Sequence, residues 1–406
     1  MFNVLRKLLK DAAFEFIVLF GNSLPSAKQK SALIFPPAPW PGGMGDDALI
    51  SSLVGSLMDN EFTSIDVIEQ RKSNAWKEAL HLDSSVDNPA PSLLGWLKFQ
   101  WALKKYSHVF VVGADMIDGH YSVGTSQKML KIADIAAKSG KSSTITGCSF
   151  NASAHPLIIK TINQLDKDVR LLARDPRSYS RLQKLTTHDV ELVADLAFML
   201  KPDGKKAPRT LEWISSQHNS DCIVLGVNLA PIVLGTRDKE VIDKCVNTFY
   251  EALSEQLEND NKLAVLLMPH DVRSEIGDID MCERLYTELF DKYNLRIYIF
   301  NEDYKARSIK AVASKLDACI TCRMHLAIAC LGSGVPVGAV TYQDKFEGLF
   351  DHFKISPPLI AGEDATNIEA VARLINNILS EAAAMRGLIE NSIQDVVNLS
   401  EKNVPK

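Results

Sequence analysis

The feature that most constrains this chain is a rhythm. From residue 31 onward, a short apolar strand, a loop and an amphipathic helix follow one another repeatedly. Apolar runs at 32–35, 64–68, 108–112, 143–146, 169–173 and 190–193 have strand length. Helical spacing opens at Asp46 and fills 95–106, 126–138 and 155–165. Strands that alternate with helices predict a parallel sheet with helices on both faces, because each parallel connection must cross back over the sheet.

The stretch 201–221 (KPDGKKAPRTLEWISSQHNSD) interrupts the rhythm with Pro, Gly and charge, and it reads as a linker. A second series then starts. Its strands are expected at 222–227, 263–267, 295–300, 318–321 and 336–340. Its helices are expected at 239–257, 279–293, 304–315, 325–331 and 344–353, with a long terminal helix or pair over 365–391. The expected fold is α/β, two Rossmann-like domains facing across a cleft in a GT-B-like architecture. The N-terminal domain would cover 1–200, the linker 201–221 and the C-terminal domain 222–406. A chain of 406 residues has the length for two such domains.

Charge excludes several partners. The net charge is −5, so no global basic field recruits nucleic acid, and an anionic ligand must be held by local cations. The seven cysteines are odd in number, and Cys148, Cys222, Cys319 and Cys330 lie in apolar runs, as reduced thiols do. Cys319 and Cys322 are three apart on an expected buried strand, with no second pair nearby, so they do not read as a metal site. No His-Glu-x-x-His motif occurs.

No run approaches the roughly 20 apolar residues of a membrane span. Residues 1–20 carry Arg6, Lys7, Lys10, Asp11 and Glu15, which interrupt any signal-peptide core. Phe2, Leu5, Leu9, Ala12, Phe16 and Leu19 recur there at helical spacing. That helix either packs on its own domain or lies on a membrane surface. The expected location is the cytoplasm, at the inner face of the membrane in the second case.

Four loops fall at expected strand ends, where doubly wound sheets bind ligands. Pro41-Gly42-Gly43-Met44-Gly45-Asp46-Asp47 offers backbone access and a helix N-terminus, or an ordinary turn capped by Asp46. Gly113-Ala114-Asp115-Met116-Ile117-Asp118-Gly119-His120 brings carboxylates suited to acid/base work or to turn-making. Arg174-Asp175-Pro176-Arg177-Ser178 closes a strand and opens a helix, so Arg174 points to a ligand or to an acidic neighbour. Thr321-Cys322-Arg323-Met324-His325 places a guanidinium fork and an imidazole beside a helix N-terminus, the best anion site in the chain.

In these residues the sequence resembles the polysaccharide pyruvyl transferases, from about residue 31 to 353. The pieces follow in order: Gly43–Asp47, the acidic loop after Gly113, Arg174-Asp175-x-x-Ser178, Ala194-Asp195-Leu196-Ala197-Phe198, Met268-Pro269-His270, and Arg323-Met324-His325. The last continues through Ala327, Gly334-Val335-Pro336-Val337 and Tyr342-x-x-Lys345. Met44 stands where relatives usually carry Asn, and Gly113-Ala114-Asp115 replaces a glycine-richer loop.

The resemblance implies phosphoenolpyruvate as donor substrate, no further cofactor, and a pyruvate ketal on a sugar or lipid-linked oligosaccharide as product. It implies that Arg174, Arg323 and His325 contact the donor, with Met324, Lys345, Gly43 and Gly45 lining the substrate. His325 is expected as phosphate contact or proton donor, and Asp47, Asp115 or Asp118 as the base. The alternatives are a GT-B-type glycosyltransferase using a nucleotide sugar, and a catalytically silent sugar-binding partner in polysaccharide assembly.

Overall fold

The computed structural model describes residues 29–70, 74–273, 277–342 and 344–405. The helix expected over residues 1–20 lies outside the described residues. Among those described, no helix is long and apolar enough to cross a membrane. The chain divides into two compact units. The first holds residues 29–41, Leu49–Leu196 and 399–405, and the second holds Gly42–Ala48 and Ala197–Asn398.

The first unit is built on a parallel sheet of β1 (Ser31–Phe35), β2 (Ser64–Glu69), β3 (Ser85–Asp87), β4 (His108–Val111), β5 (Ser142–Cys148), β6 (Val169–Ala173) and β7 (Val190–Leu192). Their order is β3-β2-β1-β4-β5-β6-β7. Every residue of β1 is buried, because a central parallel strand carries helices on both faces and needs apolar side chains on both. Leu33, Val109 and Ile145 pack with Met129, Leu130 and Ile132 of the helix Val123–Lys138. Each such side chain contributes about 1.5–3 kcal/mol by leaving water, so a single charge in this row, such as Val109→Asp, would disrupt the sheet. That helix begins where the Ser122 hydroxyl accepts the Thr125 N–H at 3.3 Å. The strand order reverses between β1 and β4, which leaves a crevice at their carboxyl ends.

The second unit repeats the plan with β8 (Ile223–Asn228), β9 (Leu263–Leu267), β10 (Ile297–Ile299), β11 (Ala318–Thr321), β12 (Val337–Thr341) and β13 (Leu359–Ala361). All pairings are parallel, in the order β10-β9-β8-β11-β12-β13, with the reversal between β8 and β11. The terminal segment is one continuous helix, Ile368–Glu401.

Three sequence expectations need correction. The span 201–221 is not a simple linker. Within it Pro208–Asn219 is a helix with Thr210, Ile214 and Gln217 buried, and Glu302 caps its start by accepting Arg209 N at 3.1 Å and Thr210 N at 2.8 Å. Of the two prolines that broke the rhythm, Pro208 is this helix's first residue, where its missing N–H costs nothing. The glycine loop at 42–48 belongs to the second unit, not to the domain that precedes it in sequence. The short edge strands β3 and β13 were not anticipated, because Ser-Val-Asp holds a single apolar residue and Leu-Ile-Ala follows two prolines.

Candidate active site

In the second unit a polar cluster forms at the reversal between β8 and β11. Asn228, the last residue of β8, is fully buried and joins neighbouring strand ends. Its Nδ2 donates to Met268 O at 3.0 Å and to Asp278 Oδ2 at 3.1 Å, and its Oδ1 accepts Cys322 N at 3.3 Å. Thr321 Oγ1 accepts Arg323 N at 2.9 Å, which fixes the turn leaving β11.

Arg323 thereby becomes the N-cap residue of the helix Met324–Leu331. Its Nε lies 3.2 and 3.1 Å from the two Asp278 oxygens, Nη2 lies 2.5 Å from Oδ1, and Nη1 lies 3.6 Å from Asp271 Oδ2. Burial opposes the charge on Arg323, but these carboxylates outweigh it and hold the guanidinium above its usual range. Burial pushes the Asp278 carboxyl up, and the charge of Arg323 works against that rise. A guanidinium does not release its proton in proteins, so Arg323 brings a full positive charge to the pair.

The glycine loop packs on the same cluster. Gly43 forms an antiparallel bridge with Asp271, and Met44 N donates to His270 O at 3.3 Å. Arg273 Nη1 donates to Asp46 at 2.8 Å, while its Nε and Nη2 hold Asp271 at 3.1 and 2.7 Å. Asp47 Oδ2 accepts Ala306 N at 2.8 Å and so caps the helix Ala306–Ala313, whose own N-cap Lys305 supplies no side-chain bond. A β-carbon on Gly45 would meet His325 Nδ1 at 2.3 Å, so only glycine lets the imidazole lie against this backbone. Met324 and Lys345 are both buried, and Lys345 Nζ stands 5.5 Å from the centre of the Tyr342 ring.

His270, which the sequence offers within the family piece Met268-Pro269-His270 and not as a site residue, belongs to this cluster. It is 5% exposed, and neither ring nitrogen has a hydrogen-bond partner among the described residues. Burial, with the charges of His325 and Arg323, pushes its pKa down to about 3. The ring is therefore a neutral imidazole, with one N–H to give and one lone pair to receive. Asp278 was missed as well. An acidic residue opening a helix gives no sign that it will pair with an arginine 45 positions later.

The first unit holds a separate cluster around Arg174, at the carboxyl end of β6. The side chain is 4% exposed, with Nε donating to Ser149 Oγ at 2.8 Å and Nη1 to Asp195 Oδ2 at 3.0 Å. Burial works against its charge, and Asp195, Asp115 and Asp175 together more than restore it. The closing residues brace this site: Ser400 Oγ donates to Asp195 O at 2.6 Å, and Asn403 bonds both Gly147 N and Ala194 O. Asp175 caps the helix Pro176–Leu185 through Ser178 N at 2.8 Å.

The candidate bases differ in setting. Asp118 is buried, with Oδ1 accepting His120 N at 2.9 Å and Oδ2 accepting Asn151 N and Nδ2 at 3.1 and 2.6 Å. That is the turn-making arrangement. Asp115 is partly exposed and accepts the Tyr121 hydroxyl at 3.2 Å. The structure therefore brings Gly43, Gly45, Asp47, Arg323, Met324 and His325 into one unit, and Arg174, Asp115 and Asp118 into the other.

Two Rossmann-like sheets, each with a polar cluster at the carboxyl ends of its strands, define an α/β protein of the GT-B type. Solved structures with this fold include the S. aureus MnaA–UDP complex, with a TM-score of 0.60, 12% identity, and coverage of 92% of this chain and 94% of that one. Anabaena HepE in complex with UDP and glucose gives 0.53 at 13% identity, covering 92% and 98%. The UDP-GlcNAc 2-epimerase from Methanocaldococcus jannaschii gives 0.54 at 14%, covering 89% and 99%. No curated protein matches the chain in sequence. The sequence profile of the polysaccharide pyruvyl transferases matches residues 5–344, and the chain belongs to that family.

Proposed function

We propose that the protein transfers a pyruvyl group from phosphoenolpyruvate to a sugar of a polysaccharide or of its lipid-linked precursor. The observation that carries this reading is the Arg323 cluster. A guanidinium fork, a second arginine at position 273 and two imidazoles, His270 and His325, gather beside a helix N-terminus in a chain of net charge −5. Phosphoenolpyruvate carries a phosphate and a carboxylate, and it needs cations and neutral donors at fixed spacing.

In the proposed reaction the methylene carbon of the donor takes a proton while a sugar hydroxyl adds to the neighbouring carbon and gives up its own. The carbon–oxygen bond to phosphate then breaks, and a second sugar hydroxyl adds to the same carbon, gives its proton to the departing phosphate and closes the ketal. Arg323 meets the charge that grows on the departing phosphate. His325, held against Gly45, delivers the proton or contacts the phosphate. The donor role that the resemblance gives Arg174 stays part of the proposal. Among the carboxylates, Asp115 fits the base best, because it is partly exposed at the end of β4 and already holds a hydroxyl.

The competing reading, a transferase for nucleotide sugars, draws on structures of the same fold that contain UDP. Thermal unfolding in phosphoenolpyruvate and in uridine diphosphate sugars separates the two. A hundredfold excess of phosphoenolpyruvate over its Kd should stabilise the protein by about 2.7 kcal/mol. Stabilisation by the nucleotide sugar alone would overturn the donor assignment.

A further inference from the structure

A second opening lies in the first unit, at the carboxyl ends of β2 and β3. It is a cavity of about 920 Å³, near the upper end of the roughly 300–1,000 Å³ usual for small-ligand sites. Glu69, the last residue of β2, forms part of its lining and is 3% exposed. Its Oε1 accepts Lys77 N at 2.8 Å, and its Oε2 is buried with no hydrogen-bond partner among the described residues. Asn88, just beyond β3, repeats the pattern. Its Nδ2 donates to Gln70 O at 3.3 Å and its backbone N to Glu69 O at 3.2 Å, which leaves Oδ1 buried and unmatched.

Two buried acceptors lining one cavity, each on a side chain anchored by its other polar atom, are costly unless a ligand supplies donors. A metal cation would satisfy a carboxylate, but Lys98 and Lys128 also line the cavity and oppose a cation. Pro89 and Leu94 add an apolar wall. Buried acceptors, flanking ammonium donors and an apolar wall together match a pyranose ring, whose hydroxyls donate and accept while its C–H face needs an apolar surface.

We propose that this cavity binds a sugar ring, with Glu69 Oε2 and Asn88 Oδ1 accepting its hydroxyls. The proposal rests on the pyruvyl transferase reading and gives a sugar unit of the acceptor, other than the one Asp115 would deprotonate, a site in the first unit. Glu69→Gln keeps an oxygen for Lys77 N and turns an N–H₂ toward the cavity, so the acceptor is lost without loss of volume.

The test is saturation-transfer NMR on the full chain, with glucose, galactose, mannose and N-acetylglucosamine as probes at millimolar concentration. At least one should bind, and Glu69→Gln should weaken it about tenfold or more. Leu94→Trp changes a side chain that is 63% exposed, so the fold is spared while the wall is filled, and it should abolish the signal. Arg323→Ala should leave sugar binding intact. No binding by any probe, or binding that both Glu69→Gln and Leu94→Trp leave unchanged, overturns the proposal. The donor reading stands or falls separately, on stabilisation of wild type and Glu69→Gln by phosphoenolpyruvate.

Discussion

Gly45 and His325 are in backbone-to-ring contact: a β-carbon at position 45 would lie 2.3 Å from Nδ1 and 2.8 Å from Cγ of the imidazole. The glycine loop therefore sets where the histidine can stand. Gly45→Ala should displace the ring and lower pyruvyl transfer on the order of 10²-fold, the usual cost of misplacing a reacting group by about 1 Å. Circular dichroism should be unchanged. A fully active Gly45→Ala protein would show that the position of His325 does not matter to the chemistry.

His325→Gln divides the two roles of that imidazole. Gln donates a hydrogen bond to phosphate and cannot deliver a proton. If His325 is the acid, turnover collapses while phosphoenolpyruvate still raises the melting temperature. Turnover within about tenfold of wild type would make it a contact only, because that loss falls below the roughly 10²–10⁴-fold that general acid catalysis supplies.

Removing the fully buried Asp278 carboxylate takes from Arg323, whose side chain is 19% exposed, its closest partner and leaves it Asp271. Asp278→Asn should cost about 3 kcal/mol in urea unfolding, the lower end of the range for breaking one side of a buried pair. Arg170 and Glu191 form the control pair, because their side chains are 30% and 51% exposed. Glu191→Gln there should cost no more than about 1 kcal/mol. Equal losses in the two variants would mean that burial of the Arg323 pair has been overstated.

His270 predicts a pH dependence. Its imidazole is held near pKa 3 in the folded chain and returns to about 6.5 on unfolding, so unfolding takes up a proton throughout that window. Stability is full above about pH 6.5 and falls as pH drops toward 3. Between pH 6.5 and 5 this one group should remove about 2 kcal/mol. The His270→Phe protein should lack that part of the slope. Parallel slopes for wild type and variant would place a solvated, ordinary histidine at this position.

Limited proteolysis examines the start of the second unit. Cleavage should fall within 201–207 and spare 208–219, because Thr210, Ile214 and Gln217 are buried in that helix. Rapid cleavage throughout 208–219 would restore the linker.

Much of this was readable in the sequence. The runs Leu-Ala-Val-Leu-Leu and Ala-Leu-Ile-Phe announce fully buried parallel strands by their unbroken apolar character. Arg323 and His325 were readable because a strand end, a helix start and a fork-shaped cation coincide. Asp278 and His270 were not, because their significance lies in pairing and desolvation across long sequence separations, which no local pattern encodes. Pro208 misled for the opposite reason: the residue that ends one pattern also starts the next.

The bracing of Asp195 and Gly147 by Ser400 and Asn403 has a consequence for synthesis. Domains generally fold as the chain emerges, the N-terminal one first. Here the first unit leaves the ribosome roughly 200 residues before the segment that completes it, a delay of about 10–40 s at ordinary elongation rates. During that interval the backbone of Gly147, Ala194 and Asp195 has no partner from 399–405. The second unit itself runs through Asn398, so its long helix and the segment 399–405 emerge together, and neither unit is completed much before the other.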